Sequence, residues 1–78
     1  MRDVEISGES IRLGQLLKLA SLADDGGHAK SLLENGEVTV DGEPEARRGR
    51  QVSVGSVVVV GEESIRVTHR RASSRGSA

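Results

Sequence analysis

The chain has 78 residues, a formal net charge of -1, and no Phe, Trp, Tyr or Cys. That length allows one domain of about 60 folded residues, a size that buries only about 60% of its unfolded surface, with a core restricted to Leu, Val, Ile and Ala. The missing cysteines exclude disulfides and thiolate metal sites, the missing aromatics exclude base-stacking platforms, and the charge argues against a wholly basic nucleic-acid-binding protein.

In chain order, residues 1–8 mix charges with Val4 and Ile6, whose alternation suits a short edge strand. No apolar run follows Met1, and the longest apolar segment, Val57 to Val60, is too short to cross a bilayer. The chain is therefore expected to be cytoplasmic, with no membrane partner. Glu9-Ser10 opens a predicted helix with Ser10 as N-cap, and Leu13, Leu16, Leu17 and Ala20 form one apolar stripe. Arg12, Gln15 and Lys18 fall on its solvent face, where they either solubilise the helix or bind a partner. Asp24-Asp25-Gly26-Gly27 reads as a loop, and residues 28–35 as a second helix of about two turns with Ala29, Leu32 and Leu33 inward and Gly36 ending it. No Gly-Lys-Ser/Thr follows those glycines, so the loop is not a phosphate-binding loop of the nucleotide-hydrolase kind.

Val38 and Val40 then alternate with polar residues, and Asp41-Gly42 is a strong hairpin signal. After that turn Arg47, Arg48 and Arg50 surround Gly49, a local reversal of charge on an otherwise acidic chain. A planar guanidinium grips phosphate or carboxylate through paired hydrogen bonds, and glycine lets the backbone approach a partner. Three readings of these arginines stand side by side. They hold phosphate, they dock an acidic protein surface, or they pair with Glu43 and Glu45 in surface contacts worth about 0 to 1 kcal/mol each. Gly55-Ser56 is a turn, and the four valines at 57–60 predict a strand either buried on both faces or covered on one by the helices. Ile65 and Val67 mark a returning strand, and residues 69–78, rich in Ser, Arg and Gly, read as a flexible basic tail.

Catalysis is not expected: the two histidines, His28 and His69, are isolated, and the carboxylates are scattered. Asp24-Asp25 suits a helix start better than an acid/base pair. No cofactor and no metal are expected.

Over residues 11–60 the order LGQLLKLASLADDGGHAKSLLENGEVTVDGEPEARRGRQVSVGSVVVV resembles the S-four RNA-binding domain, in its short free-standing bacterial form. The resemblance implies an α+β fold, an alpha-L motif of two short packed helices followed by a small, mainly antiparallel β-sheet. It divides the chain into an N-terminal segment 1–8, the domain 9–68 and the tail 69–78. It further implies that Arg12, Lys18, His28, Lys30, Arg47, Arg48 and Arg50 share one RNA-binding surface. The expected partner is structured RNA, ribosomal or transfer, with the ribosome itself as a further partner and the protein a monomer; docking on an acidic protein is the alternative. Two departures stand out: Gly14 follows Arg12-Leu13 where the family often has Asp, and Gly27-His28 replaces Ser-Arg at the start of the second helix.

Overall fold

The computed structural model describes residues 1–70. Its elements are β1 (Arg2–Ile6), β2 (Ser10–Arg12), α1 (Leu13–Leu19), α2 (Gly26–Glu34), β3 (Val38–Val40), β4 (Glu43–Pro44), β5 (Gln51–Ser53), β6 (Val57–Val60) and β7 (Glu63–His69). Five strands form one sheet in the order β1-β7-β6-β3-β4, and β2 pairs with β5 in a separate ribbon. The α+β class expected from the sequence is found, with two differences of arrangement. Two strands precede the helices, and β1 runs parallel to β7, so the sheet is mixed although mainly antiparallel.

Alternation decides which side of each strand meets the helices. Val4 and Ile6, Val38 and Val40, Val58 and Val60, and Ile65 and Val67 are all buried. They join Leu13, Leu16, Leu17, Ala29 and Leu33 of the two helices in one cluster. Val57 and Val59 are half-buried, so of the two arrangements open for the valine strand the one-sided cover is realised. Among the described residues no polar or charged residue is buried, as a core this small requires. Pro44 sits on the edge strand β4, where its missing N–H costs no ladder bond.

The β3–β4 turn forms as Asp41-Gly42 predicts. Both central residues have positive φ, 53° and 87°, the left-handed pair that matches the twist of a two-residue hairpin. The Asp41 carboxylate also accepts from the Ser56 hydroxyl at 3.0 Å and the Val57 N–H at 2.9 Å, tying the turn to the start of β6.

The first helix starts later than its apolar stripe suggests. Ser10 is not an N-cap: it lies in β2 opposite Ser53, its hydroxyl donates to Gln51 Oε1 at 2.8 Å, and Ile11 pairs with Val52. The orphan N–H groups of α1 find partners from far along the chain, Leu13 N–H donating to the Arg50 carbonyl at 2.8 Å and Gly14 N–H to the Arg48 carbonyl at 2.9 Å. At its other end the Arg2 guanidinium donates to the Ala20 carbonyl. The second helix begins earlier than expected. Asp25 is its N-cap, accepting from His28 N–H at 2.8 Å, so Gly26 and Gly27 form the first turn and are not loop. Gly36, at φ 73°, closes it. The last strand runs into the segment read as tail: His69 ends β7 opposite Ile6, and the Arg70 N–H donates to the Ile6 carbonyl at 2.7 Å; residues 71–78 lie outside the described residues.

Candidate nucleic-acid interface

The arginine segment is fixed to α1 by its backbone. With the Arg48 and Arg50 carbonyls capping the helix, the Arg48 side chain lies across Gly14 and reaches α2. A Cβ at Gly14 would sit 3.3 Å from the Arg48 Cβ, and one at Gly26 would sit 3.7 Å from Arg48 Nη1. Glycine at 14 thus leaves room for the residue at 48, on which a side chain at 14 would press. A cleft of about 310 Å³ opens there, lined by Arg12, Gln15, Lys18 and Arg48 over a floor of Gly14 and Gly26.

Three of the seven predicted cations therefore line one cleft. Arg12, Lys18 and Arg48 are exposed, and among the described residues none of them makes an ion pair. Three uncompensated positive charges around one concavity repel one another and raise the potential that an anion meets. The remaining four are placed differently. Lys30 lies 3.9 Å from Glu34 on the exposed side of α2. His28 accepts the Asp24 N–H at its Nδ1 at 3.0 Å, which leaves Nε2 as the ring's donor. Neither lines the cleft.

Arg47 and Arg50 turn toward Glu45. Arg50 Nη1 is 2.8 Å from Glu45 Oε1, and Arg47 Nε is 3.2 Å from Oε2. Oε2 also accepts the Ala46 and Arg47 backbone N–H groups at 3.1 and 3.0 Å. The Glu45 side chain is only 8% exposed, whereas Arg47 is 79% exposed and Arg50 35%. The Arg50 hydrogen bond, then the Arg47 side chain and the Arg47 N–H, hold the Glu45 carboxyl down to about 2. Of the acidic partners the sequence offered, it is Glu45 that takes both arginines; its near-burial was hidden in a stretch that reads as polar loop.

This pairing has a testable pH signature. A carboxyl with a folded-state pKa below its unfolded value, about 4.3 for glutamate, binds fewer protons when folded. Its stabilisation is complete above that unfolded value and is lost as pH falls through about 2. Urea midpoints measured from pH 5 to pH 2 are expected to fall less for Glu45→Gln than for the wild type. Parallel curves would show that the pair contributes nothing to stability.

Arg12 and Gln15 also border a larger groove, about 670 Å³, whose wall includes Gln51 and Arg70. Among the described residues no group of three or more His, Cys, Asp or Glu is placed to hold a metal, and no helix is long and apolar enough to cross a membrane.

The S4 domain family model matches residues 4–68. A Bacillus subtilis protein described as a probable ribosome maturation protein, RlbA, is 49% identical over 57 residues, covering 73% of this chain and 80% of that one. Among solved structures, the 30S ribosomal protein S4e of Thermoplasma acidophilum superposes with a TM-score of 0.59 at 28% identity. The likeness covers 77% of this chain but only 32% of S4e, so it is to one part of that protein.

Proposed function

The chain belongs to the S4 domain family, and from that premise we propose that it is a non-enzymatic RNA-binding module that recognises folded ribosomal RNA through phosphate and shape. The observation that carries this is the cleft in which Arg12, Lys18 and Arg48 stand, among the described residues, without carboxylate partners. Such an arrangement favours the approach of an anion. The N-cap and the last turn of α1 and one loop supply the cations, so their spacing is set by the fold. Double-helical RNA offers that shape: its major groove is too narrow for side chains, leaving phosphates and 2′-hydroxyls as the contacts. With no aromatic side chain to stack on unpaired bases, affinity for single strands is weak. Ribosomal RNA is favoured as the target because both similar proteins are named for the ribosome. A protein with that target works in the cytoplasm.

The test is binding of a labelled RNA hairpin across a salt series. If the three cleft cations each meet a phosphate, the logarithmic slope is about -2 to -3, from roughly 0.7 to 0.9 per contact. An unpaired oligonucleotide of the same composition binds more weakly. Binding that ignores salt, or that polyglutamate displaces as readily as RNA does, would point instead to an acidic protein partner and overturn the proposal.

A further inference from the structure

Glu45 is the one carboxylate in the arginine segment, and nothing about an RNA-binding surface calls for an acid there. We propose that Glu45 is a positioning residue that holds Arg47 and Arg50 back from the RNA and presents Arg48 alone to the cleft. The inference rests on the RNA-binding reading and divides the work among arginines that look equivalent in sequence.

The segment is fastened at both ends. Glu45 N–H donates to the Val38 carbonyl of β3 at 3.1 Å, and the Arg48 and Arg50 carbonyls accept from Gly14 and Leu13 of α1. Between these anchors the Glu45 carboxylate gathers four donors, two backbone N–H groups and the guanidinium groups of Arg47 and Arg50. An acceptor-only group so nearly withdrawn from water is satisfied where it stands. Arg47 and Arg50 are locally neutralised by it, while Arg48 lies across Gly14 in the cleft with Arg12 and Lys18. An arginine that must leave Glu45 to reach a phosphate exchanges one charged partner for another and gains little. Arg48, which makes no ion pair among the described residues, gives up none.

This gives an outcome opposite to simple charge counting. Glu45→Gln removes a negative charge beside an RNA-binding surface, which by electrostatics alone tightens binding. We expect it to weaken binding to the RNA hairpin by about three- to tenfold, the cost of re-ordering the loosened loop and its Arg48 side chain on binding. Glu45→Asp, which keeps the charge but shortens the reach to Arg50, falls between. Arg48→Ala lowers the salt slope by roughly 0.7 to 0.9, one phosphate contact, while Arg47→Ala leaves the slope unchanged. In the free protein, Glu45→Gln speeds amide exchange at Ala46 and Arg47.

Tighter binding by Glu45→Gln, or an Arg47→Ala slope that falls as far as that of Arg48→Ala, would overturn the division of labour. Unchanged amide exchange in Glu45→Gln, with normal wild-type binding, overturns the clamp while sparing the RNA reading. Failure of the wild type to bind the hairpin overturns that reading and the task given to Arg48 with it.

Discussion

Replacing Leu17 by Ala is expected to lower the free energy of unfolding by about 2 to 5 kcal/mol. Leu17 is fully buried in the cluster that joins both helices to the sheet. A chain of 78 residues has a total stability of only about 4 to 12 kcal/mol, at roughly 0.05 to 0.15 per residue. The substitution thus removes a large fraction of the whole. No aromatic side chain is available to swing into the void, and the valines of the cluster are stiff at χ1, so the cavity closes little. At about 4 to 8 °C per kcal/mol, the melting temperature falls by roughly 10 °C or more. The control is Leu19→Ala on the same helix. Leu19 is 53% exposed, and its loss changes stability by no more than about 0.5 kcal/mol. Thermal melts followed by circular dichroism would decide it, and equal shifts for the two variants would mean that the helix is packed differently.

The second large effect is on binding. The variant with Arg12, Lys18 and Arg48 all replaced by Ala is expected to lose RNA affinity by about two orders of magnitude at 0.1 M salt, since each phosphate contact releases close to one counterion. The three side chains are exposed, so the fold survives and the melt stays near that of the wild type. What binding remains should depend little on salt. Lys30→Ala, which removes a cation already beside Glu34 and outside the cleft, has a smaller effect. A triple variant that still binds the hairpin like the wild type would remove the cleft from consideration.

Much of the fold was legible because its signals are local. Asp41-Gly42 forms the hairpin its chemistry demands, Val4 and Ile6 alternate as an edge strand does, and Gly36 ends α2 in the left-handed conformation. What could not be read depends on distant partners. Ser10 has every mark of a helix cap, yet the carbonyls that cap α1 come from Arg48 and Arg50, and the strand that claims Ser10 comes from residues 51–53. Gly26 and Gly27 look like loop, but the Asp25 side chain recruits them into the first turn of α2. The cations divide for the same kind of reason. Arg47, Arg48 and Arg50 are interchangeable in sequence, and only the folded position of Glu45 separates the two that it neutralises from the one that reaches the cleft. Gly14, a departure from the resembled pattern, turns out to make room for Arg48.

The parallel pairing of Arg2 with Ile65 and Ile6 with His69 sets a schedule for the molecule's birth. Among the described strands β1 is zipped against β7, so its apolar side must wait until residues 63–69 have been made. At about 5 to 20 residues per second, that delay is on the order of several seconds. Charged Arg2, Asp3 and Glu5, interleaved with Val4 and Ile6, keep this early segment from clumping in the meantime. Contacts so remote along the chain also slow spontaneous refolding relative to a helical bundle of equal size. Deleting β7 would leave β1 without the strand it pairs with among the described residues.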